Sequence, residues 1–249
     1  MKRFGIVSFI WLFGYLAGAQ DSSKVLNPVI HYETQFNGTF DRNIVKRLLL
    51  ISTNKIKIES KKNLNEILMN YRFGHITPNG GVRASLENDL FLQSENYFQK
   101  QRTVHPTAIM AFENSPNFRE LISRWVLGAG LRALLVNRLN HYFHLNLYGL
   151  YETSVFKSLD YRVFRLFPSL KGISYFGNRS YGITYTASFG WAFADAQNYR
   201  TRLAIKPFVK ISKSLDVNLM YDLWFENIIN GKSPKEISTI SLGLSYTNH

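Results

Sequence analysis

Apolar and polar side chains alternate with a period of two through most of this chain. Between residues 216 and 226 every odd position is apolar, whereas Asp216, Asn218, Asp222 and Glu226 occupy even positions. A β-strand points successive side chains to opposite faces, so this period indicates strands with one apolar face and one polar face. Turn residues separate the alternating runs. The sequence therefore predicts an all-β, antiparallel fold of about twelve strands.

The predicted strands follow one another at hairpin spacing. They cover about 29–41, 44–59, 63–76, 81–93, 104–114, 120–136, 141–156, 161–176, 179–195, 200–213, 215–229 and 237–248. Alternation is blurred in the fifth and eighth. The connections after strands two, six, eight and ten are short, and those after strands five, seven and eleven are predicted to be longer. An even strand count with short turns at one end is typical of bacterial membrane barrels.

The first twenty residues have the layout of a secretory signal peptide. Lys2 and Arg3 precede an apolar run, and small residues around Ala19 supply a cleavage site. The apolar run is about thirteen residues long, whereas a spanning helix needs roughly 20. We therefore expect residues 1–20 to be cleaved and residues 21–249 to form one domain.

The composition excludes several classes of protein. The chain of 249 residues has no cysteine, which excludes thiolate metal sites, thiol nucleophiles and a lipoprotein anchor. Hydrophobic residues make up 45% of the chain, too many for a disordered protein. The aromatic fraction of 15% favours β-structure.

The apolar faces favour a membrane barrel over a soluble sandwich. In nine predicted strands, including odd positions 121–135 and 181–193, the apolar face holds no charged residue or histidine. A charge facing lipid at the midplane costs about 2–4 kcal/mol for Arg or Lys, which would enforce this pattern. Tyr181 and Trp191 lie ten residues apart on one face, a spacing that matches two aromatic girdles. We predict an antiparallel transmembrane outer-membrane β-barrel, with a soluble secreted β-sandwich binding protein as the alternative.

Several segments resemble those of the YdiY-like family, known as salt-induced outer-membrane proteins and classed as a domain of unknown function. The resemblance covers most of the mature chain and is carried by residues 36–39, 43–47, 83–89, 127–131, 148–153 and 242–246. The early turn departs from the family pattern, because residues 41–43 replace its usual small-Gly-Asn form. The resemblance implies an outer-membrane barrel and implies no activity.

The polar faces carry many charged residues, which we expect to line the lumen. The candidate lumen residues are Arg83, Glu87, Asp89, Arg124, Arg132, His144, Glu152, Arg202, Lys206, Asp222 and Glu226. Unpaired, such charges would form an ion-selective constriction. Mutually paired, they would fill and rigidify a narrow barrel. Positive and negative charges are nearly equal in number on the predicted inner faces, and this balance favours pairing.

A lipid-modifying hydrolase is a further alternative. His144 and Asn146 share one face of strand seven, but any pairing of His144 with Ser123 or Ser188 lacks support in the sequence. A histidine meeting a nucleophile at one membrane boundary would favour such an enzyme. The sequence predicts no catalytic residue, no cofactor and no metal site.

The net charge of +13 bears on partners. With the inner charges balanced, the excess lies in loops and turns, where it would attract anionic lipopolysaccharide. Outer-membrane lipids, lipopolysaccharide and the barrel-assembly machinery are therefore the expected partners, and nucleic acid is not. The predicted function is a structural barrel or a narrow pore for small solutes and ions.

Overall fold

A computed structural model describes residues 28–41, 45–78, 85–117, 119–195, 197–227 and 236–248. The predicted signal peptide lies outside the described residues. Twelve strands form: β1 Val29–Asp41, β2 Val45–Glu59, β3 Leu64–Pro78, β4 Ser85–Tyr97, β5 Val104–Ser115, β6 Leu121–Arg138, β7 His141–Phe156, β8 Asp160–Phe176, β9 Tyr181–Ala192, β10 Tyr199–Lys210, β11 Leu215–Glu226 and β12 Glu236–Thr247. None of the described residues belongs to a helix long and apolar enough to span a membrane.

The strands form one closed barrel. Each strand pairs antiparallel with its neighbours in sequence, and β1 pairs with β12 to close the ring. Because strands of such a barrel alternate inward and outward residues, the period of two in the sequence becomes an inner face and an outer face. The predicted fold class and strand number are confirmed.

The outer face is apolar and unpartnered. Many large apolar side chains are exposed there, such as Phe36, Leu131, Phe164 and Leu242. Aromatic rings gather near the two ends, with Phe176 stacked on Tyr181 at one end and Tyr199 stacked on Phe225 at the other. This is the reverse of a water-soluble protein, and it fits an apolar band between two aromatic girdles.

Two sequence-based expectations about strand geometry are wrong. The connection after β7, predicted to be long, consists of residues 157–159. The alternation predicts that Leu121 faces outward, but it is fully buried and Ile122 points outward. A β-bulge between Leu121 and Ser123 adds one residue to β6, which reverses the face of everything before it.

Close strand packing explains one glycine on the inner face of β6. A Cβ at Gly130 would overlap the carbonyl oxygen of Leu147 and would lie 2.9 Å from Cα of Tyr148. At Gly149, which faces outward on β7, the nearest atom to a Cβ is 4.0 Å away. The two positions therefore form a matched pair for testing the packing of β6 against β7.

We expect Gly130→Ala to lower the free energy of unfolding by about 1–3 kcal/mol, because the backbone of β7 must shift to admit the methyl group. Gly149→Ala should be close to neutral. Urea titration of the refolded barrels in detergent, followed by gel mobility without boiling, measures both. Equal effects of the two substitutions would contradict the close approach of β6 and β7.

Candidate functional site in the barrel lumen

The inner faces of the strands carry the predicted lumen residues. In the described part of the chain, ten of the eleven face the lumen: Glu87, Asp89, Arg124, Arg132, His144, Glu152, Arg202, Lys206, Asp222 and Glu226. Arg83 lies outside the described residues. We call the end of the barrel that holds Val29 and Thr247 the terminal end, and the other the far end. The lumen charges form networks at three levels between these ends.

The far-end network centres on Glu152 of β7, which is fully buried. Its carboxylate accepts hydrogen bonds from Arg165 Nε at 3.0 Å and from Arg200, and it lies 3.1 Å from Arg124 Nε. The hydroxyl of Tyr161 donates to it at 2.8 Å. Three guanidinium groups thus contact one carboxylate, so the buried negative charge is fully compensated.

Arg124 extends this network across the lumen. Its Nη2 lies 2.5 Å from Glu226 of β11, and its Nη1 lies 2.9 Å from Glu113 of β5. Arg119, in the connection between β5 and β6, binds both of those carboxylates. Because β6 and β11 are nearly opposite in the ring, this network crosses the lumen.

The middle level is an ion pair between β3 and β11. Arg72 donates to Asp222 at 2.8 Å, and Asp222 also accepts from Arg202 Nε at 3.1 Å and from the indole of Trp224 at 3.0 Å. The guanidinium of Arg202 lies 4.4 Å from the centre of the Trp224 ring. Beside this group is a cavity of about 50 Å³, lined in part by Asp89, which has room for about one or two water molecules.

An apolar cluster fills the neighbouring part of the lumen. It consists of Ile109, Ala111, Val126, Tyr148 and Leu150 on the inner faces of β5, β6 and β7. The strands approach each other closely here, since a Cβ atom at Gly128 would overlap the side chain of Leu150. Apolar side chains therefore occupy this part of the lumen in place of charged ones. At mid-height the lumen is therefore filled by apolar packing on one side and an ion pair on the other.

The terminal-end level also crosses the lumen. Lys171 of β8 donates to Glu95 of β4 at 2.6 Å. Lys206 of β10 lies 3.4 Å from Glu33 of β1. Paired side chains therefore bridge the lumen at all three levels.

Sequence reasoning missed several members of these networks. They are Glu95, Glu113, Arg119, Arg165, Lys171 and Arg200. Glu95 falls between predicted strands four and five, but β4 continues to Tyr97. Arg165 and Lys171 both occupy odd positions of β8, and this alternation was the sequence signal that their side chains point to the same face. It was hidden because Val163 and Phe167 share their face.

The residues considered for a hydrolase do not form a catalytic arrangement in the structure. His144 makes no hydrogen bond with Ser123 or Ser188 in the described part of the chain, and its Nδ1 atom has no partner there. His141 Nδ1 instead lies 3.0 Å from Ser174 Oγ, near the terminal end. No cluster of three or more His, Cys, Asp or Glu side chains suited to a metal ion occurs within the described ranges.

The closed ring, its apolar exterior and its polar interior invite comparison with solved structures. A NanC porin structure is similar, with a TM-score of 0.53 and 8% identity over 88% of this chain and 99% of that chain. An outer-membrane channel from Pseudomonas putida F1 gives a TM-score of 0.52 and 10% identity over 92% of this chain and 99% of that chain. The chain has the fold of an outer-membrane β-barrel.

These similarities carry the fold alone, because the sequence identities are so low. No protein-family model and no curated protein matches the chain. The soluble β-sandwich alternative is wrong, since the sheet closes on itself and its apolar face points outward. The function of this barrel has therefore to be argued from the side chains in its lumen.

Proposed function

We propose that this barrel is a narrow pore for ions and small hydrophilic solutes, whose flow is restricted by ion pairs across the lumen. The observation that carries this proposal is the bridging of the lumen by Arg124–Glu226, Arg72–Asp222 and Lys171–Glu95. The inner wall is polar at both ends, so a hydrated solute finds hydrogen-bond partners along the path. Movement of these side chains opens the path, and their pairing closes it.

The strength of buried ion pairs determines how long and how wide the openings of the pore should be. Charges within a low-dielectric wall attract each other more strongly than exposed charges do, and salt screens them less. Opening then requires breaking several charge-assisted hydrogen bonds at once, so openings should be brief and small. Because each level pairs positive groups with negative groups, selectivity between cations and anions should be weak.

Planar-bilayer recording of the refolded protein tests this proposal. We expect small, brief current steps from the native chain. Removing both partners of one bridge, as in Lys171→Ala with Glu95→Ala, should enlarge the steps without leaving a single charge unpaired. Adding Arg72→Ala, Arg202→Ala and Asp222→Ala removes the middle level together with both of its cations and should at least double the conductance, because restrictions in series act together.

A matched control comes from an ion pair that does not bridge the lumen. Lys100 pairs with Glu59 at the terminal rim, so Lys100→Ala with Glu59→Ala changes the charge in the same way outside the lumen. This variant should conduct like the native chain. If every variant inserts and folds, as heat-modifiable gel mobility would show, yet none conducts, the barrel is structural and the pore proposal fails.

A lipid hydrolase is the second candidate, and the contact between His141 and Ser174 is the observation that favours it. Histidine next to serine near one end of the barrel is the arrangement such an enzyme needs. Ser174 is only 4% exposed, however, and no described carboxylate bonds to the His141 ring to orient it. Release of fatty acid from the bilayer lipids during the recordings, abolished by Ser174→Ala, would favour the enzyme over the pore.

The remaining proposals concern the cellular setting. We propose that residues 1–20 direct export and are then removed, and that the barrel-assembly machinery inserts the mature chain. Basic connections would contact lipopolysaccharide or membrane lipids. Membership of the YdiY-like family and the absence of enzymatic activity both stay predictions.

A further inference from the structure

One lumen cation differs from all those described above. Arg132 of β6 is 8% exposed, yet within the described residues no carboxylate lies within 4 Å of its guanidinium and its Nε atom has no hydrogen-bond partner. The ring of Tyr97, whose centre is 4.0 Å from the guanidinium carbon, covers it. An arginine has five N–H donors and is always charged, so burying it in the barrel wall without a partner raises the free energy of the folded state.

Two neighbours of Arg132 are unpartnered as well. Asn146 of β7 is fully buried and directly opposite Arg132 in the strand register, and neither atom of its amide has a partner in the described part of the chain. His144, two residues earlier on the same face, is 6% exposed and has an unpartnered Nδ1. We call these three residues the Arg132 cluster. Their unmet hydrogen bonds converge on one part of the inner wall.

The other charges around the cluster are already paired. The charged groups that act on the His144 ring include Arg132, Glu66 and Lys171. Glu66 binds Lys55 at 3.3 Å and Lys171 binds Glu95 at 2.6 Å. Glu66 also lies 3.8 Å from Lys57, so its charge is shared between two lysines and Arg132 is left without a carboxylate.

From this we infer that the Arg132 cluster binds a small oxyanion, a carboxylate fitting best. The planar guanidinium matches the two oxygens of a carboxylate, whose negative charge compensates the unpaired guanidinium. The amide nitrogen of Asn146 and the His144 ring supply further donors. The amide oxygen of Asn146 is left to accept from a hydroxyl on the bound molecule.

Substitution of Arg132 gives the first test, and it does not depend on conduction because binding is measured on the folded barrel in detergent. Sodium acetate should raise the unfolding midpoint above that in sodium chloride of equal ionic strength. Arg132→Gln should weaken acetate binding at least about tenfold, since a charge-assisted hydrogen bond is lost. Arg132→Gln also leaves no carboxylate unpaired, so folding should survive.

Arg202→Gln is the matched control. It removes the same charge from the same lumen, and Asp222 keeps Arg72 as its partner. The acetate response should therefore be retained. Inorganic phosphate, tested separately, distinguishes a site that prefers the doubly charged anion from one that prefers the carboxylate.

A second variant supplies the anion from within the chain. Asn146→Asp places a carboxylate opposite Arg132 with almost no change in shape. It should raise the unfolding midpoint without acetate and abolish the acetate response, and adding Arg132→Gln should cancel the gain. The inference fails if neither acetate nor phosphate shifts the native midpoint, if Arg132→Gln responds like the native chain, or if Asn146→Asp lowers the midpoint.

Discussion

Glu152→Gln is expected to destabilise the barrel by about 3–5 kcal/mol, the usual result of removing one partner from a buried charge network. The carboxylate is fully buried and serves Arg124, Arg165 and Arg200 together. Glutamine keeps the shape but removes the charge and points an N–H group at donors. Urea unfolding of the detergent-refolded protein, followed by gel mobility without boiling, measures the loss.

Two companion variants sharpen this experiment. Glu59→Gln breaks a partly exposed pair with Lys100 at the rim and should cost no more than about 1 kcal/mol. Combining Glu152→Gln with Arg200→Gln removes one of the stranded charges and should recover part of the loss. A cost for Glu152→Gln as small as that of Glu59→Gln would show that the far-end network is open to water.

Leu147→Arg is expected to destabilise the membrane-inserted barrel by about 2–4 kcal/mol. Leu147 lies near the middle of β7 on the outer face, between Leu131 of β6 and Pro168 of β8. An arginine there meets hydrocarbon at the midplane of the bilayer and has no partner. Unfolding from lipid vesicles, compared with the native chain, gives the cost.

The control for this prediction is the same substitution in a turn. Leu139 lies between β6 and β7 and is 83% exposed. Leu139→Arg should cost about 0–1 kcal/mol, because a charge near the interface reaches water. Equal costs at the two positions would mean that the middle of β7 does not lie at the bilayer centre, and would contradict the placement of the barrel.

The period of two was sufficient to predict the fold, because in a barrel every strand carries the same inward and outward alternation. Where the alternation failed, the cause is local and physical. The bulge before Ser123 changes the parity of β6 without any sequence signal as strong as a glycine. In β8, Pro168 and Gly172 on the outer face and Phe167 on the inner face reduce the contrast between faces.

The charge networks were harder to predict than the faces. Parity shows that Arg72 and Asp222 point inward, but their pairing depends on the height of each residue along the barrel. That height follows from the stagger between strands, which accumulates around the ring and is absent from any single strand. The Arg132 cluster was hidden for the same reason, because an unpaired charge is recognised only when its surroundings are known.

The closing contact between β1 and β12 governs the order in which such a chain can fold. Every other strand pairs with a neighbour in sequence, whereas this seam joins residues about two hundred positions apart, from Glu33 opposite Thr247 to Gly38 opposite Leu242. Because closing so long a loop has the largest entropic cost of any pairing in the ring, we expect this seam to form last. Behind the seam, Asn37 donates to Ser241 and Gln35 to Asn218, so side-chain hydrogen bonds latch the ring from inside once it closes. Until β1 pairs with β12, the sheet has two unpaired edges that can pair with strands of other chains. Protection from aggregation is therefore most needed at this stage.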